Sequence, residues 1–291
     1  MISPGFQCLL ARPRTEQVAV RQHRELSHAT QRSSIQLWDF RRQQSIGLDA
    51  KGSNLRLSSL SWSADGRWLA AAQTAGDVLA WNVADLSRPP MHIKRVHPIA
   101  ATHNPGFPVT YSTFPAVAYA GGDEFVIVEE SGHAQISRLG SPQPVRTFFV
   151  EPDTTAVATD RRGSTLAIGH ADGSIALFSL GTGRPLPAPT GHAGRVESIT
   201  FSADGHLLAT TGDDDYVNLS NLGTGRLLGR LAGHTATVTG AVFSADNSTL
   251  YTSSVDENVI GWDITQPEQS WPAARSTRLR SQPRLRLPSS R

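Results

Sequence analysis

The chain has 291 residues, 38% of them hydrophobic and 18% charged, with a formal net charge of +2. This apolar content is enough for a packed core, and the near-neutral balance excludes a strong overall field of the kind that gathers nucleic acid or anionic membrane. A single cysteine, Cys8, excludes an intrachain disulfide and a thiolate metal cluster, and no apolar run approaches the roughly 18 residues of a membrane-spanning helix.

In chain order, Phe6 to Ala11 and Gln17 to Val20 read as strands of a first unit over residues 5–50, with His23, Arg24 and His28 in a long loop and Trp38 near its end. A second unit, 57–96, turns at Asp65-Gly66 and closes on Trp81-Asn82-Val83. Arg95 to Ser112, rich in His and Pro, reads as an inserted loop before the apolar run Phe125-Val126-Ile127-Val128 of a third unit, 113–150. The fourth, 154–190, turns at Arg162-Gly163. Its outermost strand should be short or poorly paired, because Pro185, Pro187 and Pro189 lack ladder donors. In the fifth, 195–232, strands are expected at Val196 to Phe201, Leu207 to Thr211, Tyr216 to Leu219 and Leu227 to Leu231, separated by Asp and Gly turns. The sixth, 237–274, repeats the fifth, with Pro272 at its outer strand.

The repetition decides the fold. Gly191-His192 through Asn221-Leu222 returns as Gly233-His234 through Asp263-Ile264, offset by 42 residues. One column holds Trp38, Trp81, Ser137, Phe178, Ser220 and Trp262; only the step from Trp81 to Ser137 is irregular, and the Arg95 to Ser112 loop absorbs it. A superperiod of this length containing four short strands predicts an all-β propeller of about six four-stranded blades over residues 1–264, each unable to bury its faces alone. Either six blades close by packing alone, or the chain is part of a seven-bladed ring.

Gly233-His234, then Phe243-Ser244-Ala245-Asp246, then Trp262-Asp263 resembles a WD-repeat (WD40) unit. In that family a His, a strand Ser or Thr, a turn Asp and the Trp form a buried hydrogen-bonded chain. The resemblance assigns this tetrad to His234, Thr252, Asp256 and Trp262. It assigns a partial one to His192, Thr210 and Asp214, where Ser220 replaces the Trp. The fourth copy keeps Asp172 and has Phe178; the first and second keep Trp38 and Trp81 without a Gly-His pair.

A His, an Asp and a hydroxyl also suggest a catalytic triad, but the set follows the fold's period and is completed by an indole, which favours architecture. No Gly-x-Ser-x-Gly, His-Glu-x-x-His or phosphate-loop pattern occurs, and Gly181-Thr182-Gly183 and Gly223-Thr224-Gly225 read as turns at one repeat position. The expectation is no enzyme, no cofactor and no metal.

Resemblance to the family implies a non-enzymatic scaffold for a protein or peptide partner; a cytoplasmic location is expected by default, since the N-terminus lacks a basic segment followed by an apolar one. The candidate surface is Arg195, Asp213, Asp215 and Glu257, together with His97, His103, Phe107 and Tyr111 of the inserted loop. His97 and His103 lack a third ligand at reliable spacing, so they do not make a metal site. Residues 265–291 carry six Arg against Glu268, a Ser, Pro and Arg composition that predicts disorder beyond any contribution to the last outer strand. Two alternatives remain: the propeller portion of a multidomain bacterial signalling protein, or a nucleic-acid or anionic-surface binder acting through this tail.

Overall fold

The structure is a computed structural model that describes residues 6–11, 17–25, 31–39, 41–48, 57–73, 77–93, 116–129, 132–265 and 277–279. Among these there is no helix, and the strands form six four-stranded antiparallel sheets of propeller-blade type, each built from four consecutive strands. The first sheet is β1 (Phe6–Ala11), β2 (Gln17–Glu25), β3 (Gln31–Asp39) and β4 (Gln44–Leu48); the second is β5 (Leu57–Trp62), β6 (Trp68–Gln73), β7 (Val78–Asn82) and β8 (Met91–Ile93). The third contains β9 (Ala116–Gly121), β10 (Glu124–Val128), β11 (His133–Arg138) and β12 (Pro144–Phe149). The fourth contains β13 (Thr154–Thr159), β14 (Thr165–His170), β15 (Ile175–Ser179) and β16 (Pro185–Leu186). The fifth has β17 (Val196–Phe201), β18 (Leu207–Gly212), β19 (Tyr216–Asn221) and β20 (Arg226–Ala232), and the sixth β21 (Val238–Phe243), β22 (Thr249–Ser254), β23 (Val259–Asp263) and β24 (Thr277–Leu279).

The chain divides into two compact units, residues 1–166 with 178–184, and residues 167–177 with 185–291. In the first unit, β6 shows why its sequence is a run of small apolar residues. Leu69 and Ala71 join the cluster that packs against Ile35, Leu37 and Trp62, while Ala70 and Ala72 join Val117, Phe125 and Ile127 on the other side. Side chains alternate along a strand, so burial of both faces calls for a continuous apolar run in place of alternation. In the second unit Val217, Leu219, Leu231, Val238, Leu250, Ile260 and Trp262 form one cluster between the fifth and sixth sheets.

One expectation needs correction. His23 and Arg24 lie in strand β2, paired with Ser33 and Arg32 of β3, and not in a loop; the nine-residue β2 and β3 pair along their whole length. The last outer strand is Thr277–Leu279, paired with Val259–Gly261, within the segment 265–291 expected to supply part of it and a few residues beyond the approximate end of the sixth unit at 274. A three-residue strand in an Arg, Ser and Pro context carries too little periodicity to be read from sequence. β16 is only two residues long, as expected where prolines crowd an edge. Residues 95–112, 266–276 and 280–291 lie outside the described residues, and with them His97, His103, Phe107, Tyr111, Pro272 and most of the basic segment.

Candidate interaction surface

The four residues His234, Thr252, Asp256 and Trp262 come together in the sixth sheet. β22 and β23 pair so that Leu250 faces Trp262, which puts Thr252 one pleat along on the same face as Leu250. Trp262 Nε1–H donates to Thr252 Oγ1 at 2.8 Å, Thr252 Oγ1 meets His234 Nε2 at 2.8 Å, and His234 Nδ1 meets Asp256 Oδ2 at 2.9 Å. One proton assignment satisfies every member: the indole donates to Thr252, Thr252 donates to Nε2, and Nδ1–H donates to the carboxylate. Asp256 also accepts from the N–H groups of Thr235 at 3.0 Å and Asn258 at 2.9 Å. It therefore ties the loop before β21 to the turn before β23. Gly233 has its own reason. A Cβ there would sit 2.8 Å from Trp262 Cη2, so the glycine lets the chain lie against the indole.

The fifth sheet repeats the arrangement without the indole. His192 Nδ1 meets Asp214 Oδ1 at 2.8 Å and Nε2 meets Thr210 Oγ1 at 2.9 Å, while Ala193 N–H donates to Asp214 Oδ2 at 3.0 Å. Ser220 is buried at the Trp position. Fully buried Asn218, which occupies the place of Ile260, donates to the Gly191 carbonyl at 2.9 Å and accepts from Arg230 Nε at 3.2 Å. Arg230 lies over the Tyr216 ring at 5.1 Å and approaches Asp214 at 3.6 Å. Sequence columns alone could not reveal this substitution of a polar link for an aromatic one.

Both aspartates are held below the usual carboxylate range. Burial alone would raise them, but for Asp256 the Thr235 N–H, the His234 ring and the Asn258 N–H outweigh it, and for Asp214 His192 and the Ala193 N–H do so. A carboxyl whose folded value is depressed stabilises the fold above its unfolded value and loses that contribution as pH falls through the folded one. The expected result is therefore a loss of stability below about pH 4 that is smaller in Asp256→Asn than in the parent, measured as urea midpoint against pH.

A second recurring device is a hairpin staple that sequence reading registered only as a shared turn. Ser63, Ser202 and Ser244 each donate to the Asp two residues on, Asp65, Asp204 and Asp246, at 2.6 Å. Each also accepts from the N–H five residues on, those of Trp68, Leu207 and Thr249, at 2.9 Å. The Ser244 hydroxyl, followed by the Ser248 N–H and hydroxyl, holds Asp246 down at about 2. Gly66, Gly163, Gly205 and Asn247 take positive φ of 70°, 67°, 77° and 58° at one column of this turn, where glycine or asparagine is required. Asn247 Oδ1 accepts from Ala203 N–H at 2.9 Å, which sets the first turns of the fifth and sixth sheets side by side. The opposite ends of these two sheets then also share one side of the second unit.

At that opposite end stand Arg195, Asp213, Asp215 and Glu257. Asp213 N–H donates to the Arg195 carbonyl at 3.0 Å, and the Arg195 side chain pairs with Glu197 at 3.0 Å. Burial, with Asp213 adding to it, pushes the Glu197 carboxyl up against the opposing pull of Arg195. Asp215 and Glu257 have φ of 65° and 64°, the left-handed region that costs a side-chain-bearing residue of the order of 1 kcal/mol. The fourth sheet adds the turn at Asp172, and His192 N–H donates to the Gly173 carbonyl at 2.9 Å.

The second sheet shows what the missing polar column costs. Trp81 is buried and its Nε1–H has no hydrogen-bond partner among the described residues, where Ala71 stands in the place of the sixth sheet's Thr252. Ala71→Ser should supply the acceptor and raise stability by about 1 kcal/mol, read as a shift in the urea midpoint; a fall would show that the cluster cannot admit one more oxygen.

Among the described residues no group of three or more His, Cys, Asp or Glu could hold a metal ion, and no helix is long and apolar enough to cross a membrane. The family model described as WD domain, G-beta repeat, matches residues 183–219 and 225–263. No curated protein matches the chain. Each matched segment runs from the outer strand of one sheet through the third strand of the next, β16 to β19 and β20 to β23, and includes a Gly-His loop with its Thr and Asp. WD40 proteins are generally non-enzymatic scaffolds whose domains bind protein partners. The chain thus carries two segments that match WD40 repeats, and such repeats mark a domain of the protein-interaction kind.

Proposed function

We propose that this chain is a non-enzymatic scaffold that binds a protein or peptide partner through the turns at one end of the second unit and the inserted loop of residues 95–112. The observation that carries this reading is the use made of its polar groups. His192 and His234 side chains are fully shielded from solvent, Asp214 and Asp256 nearly so, and their donors and acceptors are spent on one another and on loop backbone. Side chains committed in this way rigidify loops and leave no nucleophile–base pair open to a substrate. What reaches solvent is the rim, Asp213, Glu257, Tyr216 and Val255, a mixture of charge and apolar surface suited to another macromolecule. Affinity capture from the native cell tests it. The parent should retain a protein partner, and replacing residues 95–112 by a short Gly-Ser linker, or Asp213 and Glu257 by Ser, should reduce its recovery. Capture unchanged in both variants, or turnover in a general hydrolase screen, would overturn the reading.

A further inference from the structure

Four arginines at one end of the third and fourth sheets have no ionic partner. Arg146, Arg161, Arg162 and Arg184 make no ion pair among the described residues, and all but the half-buried Arg146 are exposed. Arg161-Arg162 is the tip of the hairpin between β13 and β14, and Arg184 ends the turn between β15 and β16. Leu180 N–H donates to the Ser164 carbonyl at 2.9 Å and so ties these two turns together. With strands about 4.8 Å apart, the turns lie about 10 Å from each other. Two close approaches bring the third sheet alongside within the first unit. A Cβ on Gly163 would run into the Ala120 carbonyl, and one on Gly183 would sit 3.4 Å from Phe148 Cβ and 3.6 Å from Arg146 Cδ. The carboxylates at this end are already bonded. Arg138 meets Glu124 at 2.7 Å and Asp123 at 3.5 Å, and Asp160 accepts from the Ser164 and Thr165 N–H groups at 2.6 and 2.7 Å.

We propose that this end of the third and fourth sheets is a separate docking surface, which takes an acidic segment of a protein partner. Charge complementarity carries the assignment. Guanidinium forks bond carboxylates two hydrogen bonds at a time, and four free ones on two adjoining turns and an edge strand suit a run of Asp or Glu. Val145, 50% exposed beside Arg146 on the edge strand β12, adds apolar contact at the rim. Nucleic acid is the poorer match, since a chain of net charge +2 lacks the broad positive field that a polyphosphate selects. The surface lies on different turns from Arg195, Asp213, Asp215 and Glu257, and it does not rest on the reading of those residues.

Fluorescence anisotropy of a labelled octaglutamate peptide, titrated with the full chain, tests it. The peptide should bind at about 50 mM salt and weaken about tenfold at about 300 mM. Arg161→Ser with Arg162→Ser, and separately Arg146→Ser with Arg184→Ser, should each weaken binding about tenfold. Arg42→Ser with Arg226→Ser, which removes exposed arginines of the first and fifth sheets, should leave it unchanged. The two test pairs sit on different hairpins, so one remains decisive should the other fail to fold. No binding at low salt, indifference to both test pairs, or an equal loss in the Arg42 and Arg226 variant would overturn the proposal. So would a short DNA duplex that binds more tightly than the peptide and is weakened by the same two pairs, which would give this surface to nucleic acid.

Discussion

Trp262→Ala is expected to lower the unfolding free energy by about 3–5 kcal/mol, a large part of the total of an ordinary domain. Trp262 is 1% exposed and packs in the cluster that joins the fifth and sixth sheets with Val217, Leu219, Val238 and Leu250. Its removal opens a cavity that the neighbouring strands cannot collapse into, because the ladders of β22 and β23 fix their spacing. The polar consequence is smaller. Thr252 loses one donor but keeps its link to His234, so most of the loss is volume. Trp262→Phe separates the two: it retains most of the apolar contact and forfeits only the Nε1–H bond, and should cost clearly less than the alanine. Equilibrium urea unfolding of the three proteins decides it, and equal midpoints would show that the indole does not hold the two sheets together.

The fold was legible where the sequence repeats itself and illegible where it does not. The fifth sheet illustrates the first case. Its strands were expected at 196–201, 207–211, 216–219 and 227–231 and are found at Val196–Phe201, Leu207–Gly212, Tyr216–Asn221 and Arg226–Ala232. Alternation, turn residues and the 42-residue offset all pointed the same way there. The outer strands illustrate the second case. β24 contributes three residues to the edge of the sixth sheet, buries no periodic face that a pattern could reveal, and follows a stretch of Pro and Ser. β2 ran five residues past its expected end because Arg21 to Glu25 is polar and looks like a loop, yet its backbone is satisfied by β3 and needs no apolar face to be a strand.

The site divides in the same way. A buried polar chain requires particular side chains at particular columns, so His, Thr, Asp and Trp leave a trace in the sequence. The Ser63, Ser202 and Ser244 staples left one as well, in the recurring Ser-Ala-Asp, whose serine was visible but whose double role as donor and acceptor was not. Asn218 and Arg230 left none, since one copy departing from its neighbours looks the same whether it compensates or decays. The Thr252 column makes the distinction physical. It holds Thr210 in the fifth sheet, Ile168 in the fourth, Ile127 in the third and Ala71 in the second. With Ile at Ile168 and Ile127, the Trp position is Phe178 or Ser137, neither of which carries an indole N–H. The first and second sheets keep a Trp over an apolar residue at this column, Trp38 with Val20 and Trp81 with Ala71, and the Trp81 indole N–H has no partner among the described residues.

That column supports the second large prediction. Thr252→Val preserves shape and removes the hydroxyl, which leaves Trp262 Nε1–H and His234 Nε2 both buried without their partner. An orphaned buried group costs about 1–3 kcal/mol, so two should cost about 2–5 kcal/mol. Thr210→Val removes the corresponding hydroxyl in the fifth sheet, where Ser220 stands in place of the indole and only His192 Nε2 loses a partner; the cost should be about 1–3 kcal/mol. The difference between the two variants is the informative quantity, because both exchange the same hydroxyl for a methyl of similar size on strands of the same register. Unfolding midpoints in urea should place the parent highest, Thr210→Val next and Thr252→Val lowest. If the two variants fall together, the Trp262 N–H draws no stability from Thr252. The chain from indole to carboxylate would then be a geometric coincidence of the repeat, and the rigidity of the Gly233-His234 loop would need another source.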